Sequence, residues 1–214
     1  ILNGGIGTDM RFYSRYILPG LIQWACSSES SDIKRAMVVP LAEGCVLEIG
    51  IGSGNNLPHY DESKVRHLTA IDPLEELWKK RNIDLSKLSF EVKYIRGGAE
   101  HIPVGDATFD TVVTTFTLCS VDDIHGTLKE LHRVLKPGGK LLFSEHGKSP
   151  DKGPERWQNL INPLWKRVSG GCNLNRDIPD LMKKHGFKTE GISTQYMPGW
   201  RLTSYSYWGV ALKG

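Results

Sequence analysis

Short apolar runs alternate with amphipathic segments along most of the chain. Apolar residues at helical spacing follow the acidic pair Asp122-Asp123, and a second helical segment spans residues 74–82. Because strands and helices alternate, the pattern predicts parallel βαβ units with helices on both faces of one sheet. The predicted strands cover residues 45–49, 68–71, 90–95, 109–117 and 141–144.

The two ends of the chain depart from this alternation. Residues 1–41 carry apolar and aromatic side chains at roughly helical spacing, interrupted at Pro19-Gly20, and are predicted to form a helical cap. Residues 187–195 and 205–212 are two predicted strands with no helix between them, so we expect them to pair antiparallel. The expected fold is α/β: a doubly wound, Rossmann-like sheet of seven mostly parallel strands with an antiparallel C-terminal hairpin edge and N-terminal helices, in one domain over residues 1–214.

Composition narrows the class of protein. The 214 residues include 39% hydrophobic and 24% charged residues, which is typical of one globular domain. A net charge of +3 gives no sign of the basic face expected of a nucleic-acid-binding protein, so no nucleic-acid partner is predicted. No run approaches the roughly 20 apolar residues of a transmembrane helix. Four scattered cysteines without a CxxC pair predict a reducing, cytoplasmic location.

A glycine-rich loop is the strongest chemical signal. The first predicted strand runs into a loop with Gly50, Gly52 and Gly54 at alternate positions, preceded by Glu48. Glycine lets a ligand approach the backbone closely. Asp72 ends the second predicted strand, where an acid can accept hydrogen bonds from both ribose hydroxyls of an adenosine. A structural turn with a helix-capping Asp72 is the alternative explanation.

With these residues in view, the chain resembles the class I S-adenosylmethionine-dependent methyltransferases. The motifs that carry the resemblance are residues 48–54, Asp72, residues 98–103, residues 109–113 and residues 131–139. Segments 118–121, 144–146 and 165–167 with 170–172 narrow it to the group of bacterial phospholipid N-methyltransferases and membrane-associated thiol methyltransferases. The thiol enzymes carry an N-terminal hydrophobic anchor that this sequence lacks, so we expect at most peripheral contact with a membrane.

The resemblance implies S-adenosylmethionine as cofactor and S-adenosylhomocysteine as product. The first loop is expected to hold the methionine end, with Glu48 near the amino group, and Asp72 to bind the ribose. Glu100 or the preceding backbone is expected to contact the adenine, and residues 115–118 to lie beside the methyl donor. The implied cofactor-binding residues are Tyr16, Glu48, Gly50, Ile51, Gly52, Gly54, Asn55, Asn56, Asp72, Pro73, Gly98, Ala99, Glu100, Thr115 and Leu118.

The acceptor side is less defined by sequence. His146 follows the fifth strand at the edge where ligands bind in open α/β sheets, and is the first candidate for a catalytic residue. A packing or capping role is its alternative. Cys119 either lines the pocket or is simply buried. Residues 148–175 are rich in Gly, Pro, Lys and Arg and are predicted to form a substrate lid, and the histidine spacing predicts no metal ligands.

The predicted function is methyl transfer to a small-molecule or phospholipid-headgroup nucleophile, an amine or a thiol, by a monomer. A nicotinamide-dependent oxidoreductase is disfavoured, since the loop lacks the GxGxxG spacing. A nucleic-acid methyltransferase is disfavoured because residues 115–118 read Thr-Phe-Thr-Leu, without the polar and aromatic clamps that a flipped base needs. A cofactor-binding module without catalytic activity stays as an alternative.

Overall fold

The computed structural model describes residues 29–189 and 191–214. Its helices are α1 (Glu29–Val38), α2 (Glu75–Lys79), α3 (Ile124–Val134), α4 (Lys152–Val168) and α5 (Ile178–Lys184). Its strands are β1 (Gly44–Ile49), β2 (Val65–Asp72), β3 (Glu91–Arg96), β4 (Phe109–Thr115), β5 (Leu135–His146), β6 (Phe187–Lys188), β7 (Ser193–Tyr196) and β8 (Tyr205–Lys213).

One sheet organises these elements in the order β3-β2-β1-β4-β5-β8-β6, with β7 also paired to β8. The pairs β2–β3, β1–β2, β1–β4 and β4–β5 are parallel, whereas β8 runs antiparallel to β5. This arrangement confirms the predicted doubly wound sheet with an antiparallel edge. Strand order reverses between β1 and β4, and the carboxyl ends of the strands at such a point are where open α/β sheets bind ligands.

The described sheet has eight strands, so the predicted count of seven is wrong by one. The predicted strand over residues 187–195 is divided into β6 and β7, which both pair antiparallel with β8. Gly191 lies between them with a φ of +76°, a left-handed conformation that interrupts an extended strand. The sheet therefore keeps seven positions across its width, the last of which is shared by two short strands.

The hydrophobic core has one part on each face of the sheet. Neighbouring residues on a strand point to opposite faces, so Val112 belongs to one part and Val113 to the other. One part packs against α3 and α5 through residues such as Leu131 and Met182. The other includes Trp78 of α2. Helices therefore cover both faces, as the alternating pattern predicted.

Two helix boundaries differ from the sequence-based predictions. Asp123 caps α3, since its side chain accepts hydrogen bonds from the amides of His125 and Gly126. The turn residues Pro137-Gly138-Gly139 predict the end of this helix, but the helix already ends at Val134 and those residues lie within β5. The helix predicted over residues 74–82 is the single short turn of α2. Among the described helices, none combines the length and apolar character needed to cross a membrane.

Candidate active site

A cavity of about 1120 Å³ opens at the carboxyl ends of the central strands. One end is formed by the glycine loop, Asp72 and residues 97–100. The other is formed by residues 119–122, His146 and residues 168–172. The sequence-predicted residues that line the cavity are Glu48, Gly50, Ile51, Gly52, Asn55, Asn56, Asp72, Pro73, Gly98, Ala99, Glu100, Thr115 and His146.

Two of the predicted residues that the structure describes do not line the cavity. Gly54 packs beneath the loop, where an added Cβ would lie 2.9 Å from a methyl group of Leu57. Leu118 is fully buried in the core. Phe116, two residues before it, has a left-handed φ of +55°, and the strand alternation that would place Leu118 in the cavity does not continue past that residue. Tyr16 lies outside the described residues.

The glycine loop has the openness that a ligand needs. A Cβ on Gly50, whose φ is +70°, would lie 2.1 Å from the Thr117 hydroxyl, so only glycine fits there. A Cβ on Gly52 would meet no atom within 4 Å, because this residue faces the cavity. The backbone at Gly52 is therefore accessible to a bound molecule.

Glu48 is a buried carboxylate beneath the loop. One oxygen accepts a hydrogen bond from the Asn56 amide at 2.9 Å, and the other accepts from the Tyr60 hydroxyl at 2.7 Å. Burial raises the pKa of Glu48 to about 7, although these two hydrogen bonds and the charge of Arg35 oppose the rise. Tyr60 escaped sequence analysis because nothing in its local pattern distinguishes it from a core aromatic residue.

Asp72 connects the glycine loop to the start of α2. Its Oδ2 accepts a hydrogen bond from the Gly52 amide at 2.9 Å, and its Oδ1 accepts from the Leu74 amide at 2.7 Å. Burial raises the pKa of this carboxyl group, against the effect of both amides. Asp72 contacts the amide of Leu74, the residue that precedes α2, but it is not the N-cap residue that the structural alternative expected. It also lines the cavity, with lone pairs left to accept from a ligand.

The other end of the cavity holds sulfur and imidazole groups. His146, the last residue of β5, has its Nε2 3.0 Å from the Sγ of Cys172. The Trp165 indole N–H donates to the same sulfur at 3.4 Å. Hydrogen bonds from Cys119, His146 and Trp165 lower the pKa of Cys172 against the effect of burial. The Cys172 charge in turn raises the pKa of His146, although burial lowers it.

Cys172 was not singled out from the sequence, although it lies in one of the segments that carried the narrower resemblance. It is far from His146 along the chain, with the whole of α4 between them, so no spacing pattern joins the two. Cys119 completes the group: the ligand atoms of Cys119, His146 and Cys172 all lie within 4.8 Å of one another. The histidine spacing had predicted no such cluster.

Glu145 holds the loop that follows β4. It is fully buried and accepts hydrogen bonds from the Thr114 hydroxyl and from the backbone amides of Thr117, Leu118 and Cys119. Neighbouring residues of a strand point to opposite faces, so Glu145 and His146 diverge and Glu145 does not orient the imidazole. The carboxylate instead fixes the backbone beside both ends of the cavity.

Aromatic side chains divide between the cavity and the surface. Trp165 and Trp200 line the cavity, with ring centroids 6.0 Å apart. Trp157, in the same helix as Trp165, is 58% exposed. Trp208 packs under the Lys34 ammonium group, which lies 2.8 Å from its ring centroid. Within the predicted lid over residues 148–175, the main element is helix α4, which contains Pro163 in its interior.

Comparison with known proteins identifies the family. Residues 47–143 match the family described as "Methyltransferase domain". The chain is 31% identical over 179 residues to a thiol S-methyltransferase of Homo sapiens, covering 81% of this chain and 72% of that protein. It is 32% identical over 160 residues to a thiol S-methyltransferase of Rattus norvegicus, covering 73% of this chain but 65%, less than two thirds, of that protein.

Two further similarities are more distant. A phosphatidylethanolamine N-methyltransferase of Cereibacter sphaeroides is 33% identical over 129 residues, which cover 59% of this chain and 62% of that protein. The crystal structure of a Thermotoga maritima S-adenosylmethionine-dependent methyltransferase, described as a possible histamine N-methyltransferase, superimposes with a TM-score of 0.62. It is 21% identical, covers 96% of this chain and 98% of its own, and supports the fold.

The loop end of the cavity fits the cofactor of this family. Gly52 leaves room for a molecule to reach the backbone, and the buried carboxylate of Asp72 offers acceptors for ribose hydroxyls. Glu48 would supply a carboxylate beside a positively charged amino group of the cofactor. These residues would hold the cofactor through its ribose and its methionine end.

Asp72→Ala is expected to weaken S-adenosylmethionine binding by about tenfold or more, because a hydrogen bond to a charged group contributes about 1.5–3 kcal/mol. Calorimetric titration measures the affinity. Asp84→Ala is the matched control: Asp84 also accepts from a backbone amide two residues later, that of Ser86, but in an exposed turn outside the cavity. Unchanged affinity in Asp72→Ala, with a folded protein, would rule out the ribose assignment.

Glu48 is expected to make the cofactor affinity depend on pH. With a pKa of about 7, this carboxyl group is mostly protonated in the free protein below that pH. A positive amino group beside it favours the ionised form, so binding should release a proton at about pH 6 and affinity should rise as the pH approaches 7. Titrations in two buffers of different ionisation enthalpy measure the released proton.

Glu48→Gln cannot ionise and should lose this proton release. The pH affects the folding stability of the free protein in the opposite direction: the cofactor affinity should rise with pH, whereas the stability should fall. Because the pKa of Glu48 in the folded state is raised from 4.5 to about 7, its contribution to the stability is present below about pH 4.5 and is lost as the pH rises through about 7. Equal proton release by the wild type and Glu48→Gln would assign the titration to another group.

Proposed function

Because this chain belongs to the S-adenosylmethionine-dependent methyltransferases, we propose that it methylates the sulfur of a small apolar thiol. The cofactor, when bound, supplies a methyl group on a positively charged sulfur, which is electrophilic without further activation. The residues of the chain must bring a nucleophile into line, exclude water and favour the reactive form of the acceptor. The proposal concerns the identity of that acceptor.

The proposal rests on the nitrogen groups that surround the Cys172 sulfur, at the end of the cavity opposite the glycine loop. An N–H of Trp165 is directed at the Cys172 sulfur, and the His146 ring nitrogen lies 3.0 Å from it. A thiol reacts as its thiolate, and nitrogen donors stabilise a negatively charged sulfur. This end of the cavity is therefore suited to hold the sulfur of an acceptor beside that of Cys172. The sequence identity with thiol S-methyltransferases independently supports a thiol as the acceptor.

The walls around this end suit an apolar acceptor. Trp165, Val168, Met197 and Trp200 all border the cavity, and their side chains present hydrocarbon and aromatic surface. The nearby carboxylate of Glu145 accepts three hydrogen bonds from the loop after β4 and one from the Thr114 hydroxyl at the end of β4, so it is poorly placed to receive a cationic amine. His146 is proposed as a catalytic residue that contacts the acceptor.

A phospholipid headgroup is the second candidate acceptor, and the surface of α4 favours it. Leu160 and Leu164 are 69% and 67% exposed, and Trp157 and Val168 extend the same row at a spacing of three or four residues. An apolar row of this kind on a helix with basic residues is typical of helices that lie on a membrane surface. The basic residues of α4 are Lys152, Arg156, Lys166 and Arg167.

A matched set of acceptors tests the proposal. An alkane thiol, amine and alcohol with the same carbon chain, together with phosphatidylethanolamine vesicles, are compared by the formation of S-adenosylhomocysteine. The thiol should react at least about tenfold faster than its amine and alcohol counterparts, since these differ only in the nucleophilic atom. Turnover with the vesicles alone would favour the lipid candidate, and tight cofactor binding without any turnover would favour a non-catalytic module.

The role of His146 has its own test. His146→Ala should lower kcat with the preferred acceptor by roughly 100-fold, the cost of a misplaced reacting group, while cofactor affinity stays nearly the same. His125→Ala is the matched control, because His125 pairs with His185 on a surface away from the cavity. Wild-type kcat in His146→Ala would remove His146 from the catalytic machinery.

A further inference from the structure

Three potential metal ligands from separate parts of the chain meet at the end of the cavity that is lined by residues 119–122, His146 and residues 168–172, here called the acceptor end. Cys119 follows β4, His146 ends β5 and Cys172 follows α4. Their ligand atoms all lie within 4.8 Å of one another, and Cys172 Sγ and His146 Nε2 are 3.0 Å apart. All three residues also line the cavity.

We propose that these residues bind a zinc ion whose fourth coordination position faces the cavity. Two thiolates and an imidazole form a donor set that prefers zinc to magnesium or calcium. With zinc–sulfur bonds of about 2.3 Å and zinc–nitrogen bonds of about 2.0 Å, ligand atoms in a tetrahedral site lie about 3.5 Å apart. Small side-chain movements would bring the present spacing to that value. Three protein ligands with one open position is the usual arrangement of a catalytic zinc.

The surroundings of both sulfurs support this assignment. Trp165 Nε1 donates to Cys172 Sγ at 3.4 Å, and the Ser120 hydroxyl lies 3.3 Å from Cys119 Sγ. Groups that hydrogen-bond to ligand atoms are a regular part of metal sites, because they orient the ligands. The two sulfurs therefore have polar partners beyond the cluster itself.

The backbone that carries the cluster is held in place by contacts outside it. The Asn173 backbone amide donates to the Cys119 carbonyl at 2.8 Å, and its side-chain amide donates to the same oxygen at 3.0 Å. Glu145 accepts from the Cys119 amide. These bonds join the segment after α4 to the segment after β4, so two of the three ligands are brought together without an ion.

Charge balance gives a further reason for a divalent ion. Two neighbouring buried thiols cannot both ionise easily, because the second thiolate is repelled by the first. A divalent cation neutralises two thiolates and leaves the imidazole neutral. The His146 Nδ1 atom is buried and has no hydrogen-bond partner among the described residues. It would carry the imidazole proton when Nε2 binds the ion, and one unpaired donor costs little against three coordination bonds.

The role of the ion rests on the proposed thiol acceptor. A thiol that takes the fourth position displaces water, forms a sulfur–zinc bond and releases its proton to solvent. Its sulfur is then held as a thiolate at the end of the cavity opposite Asp72. Zinc binding itself does not depend on which acceptor the protein uses, so the two ideas can fail separately.

Metal content is measured first, on the purified chain alone. The protein is incubated with zinc and a thiol-free reductant, dialysed against metal-depleted buffer and assayed by mass spectrometry for bound metal. We expect about one zinc per chain in the wild type and less than about a tenth of that in Cys172→Ser and His146→Ala. Cys45→Ser is the matched control, since Cys45 is a free cysteine in β1 outside the cluster.

Cobalt substitution then tests the coordination. Bound cobalt should show sulfur-to-metal charge-transfer bands and the visible bands of a tetrahedral site, and an alkane thiol should shift them. A folded wild-type chain that binds S-adenosylmethionine but retains no zinc would overturn the proposal. Full zinc retention in Cys172→Ser, or a Cys119–Cys172 disulfide in the reduced sample, would do the same. A cobalt spectrum that the thiol leaves unchanged would overturn the open fourth position.

Discussion

The site depends on the hydrogen bonds that the buried carboxylate of Glu145 accepts from the loop after β4. Glu145 lies on the central strand β5 and accepts these bonds from three consecutive amides, those of Thr117, Leu118 and Cys119. A buried charge is costly unless its hydrogen bonds are satisfied, and here the loop backbone satisfies them. That loop includes Phe116 in a left-handed conformation, which is maintained only when the surrounding contacts fix it.

The two ends of the cavity are linked through this same loop. Thr117 packs against Gly50 so closely that no side chain could be added there, and its hydroxyl donates to the Ile49 carbonyl. Two residues later, Cys119 lies beside His146 and Cys172. The positions of the glycine loop and of the cluster of Cys119, His146 and Cys172 are therefore set by one short segment. A change in the Glu145 contacts would disturb both ends together.

Sequence patterns predicted the features that a few neighbouring residues determine. They did not predict contacts between residues that are far apart in the chain. The parallel strands, the first two loop glycines Gly50 and Gly52, and Asp72 each have a signal within a few residues, and the structure brings them to the edge of the sheet where the cavity lies. Leu118 was misplaced, because nothing in the sequence announces the left-handed turn at Phe116. Cys172 was overlooked as a functional residue, since it reaches His146 only after the chain has formed α4 and returned to the sheet.

Helix α4 connects the surface of the molecule with the acceptor end of the cavity. One face carries the exposed row that includes Leu160 and Leu164, whereas Trp165 faces the cavity and donates to Cys172. If the exposed apolar row of α4 lies on a membrane surface, an apolar thiol dissolved in the lipid would also meet the cavity without first crossing water. The transfer free energy of its hydrocarbon part then favours the membrane over water, so the acceptor is concentrated where α4 lies. The same helix would thus select acceptors by their partition into lipid, and the sulfur and imidazole groups at its inner side would select them by their nucleophilic atom.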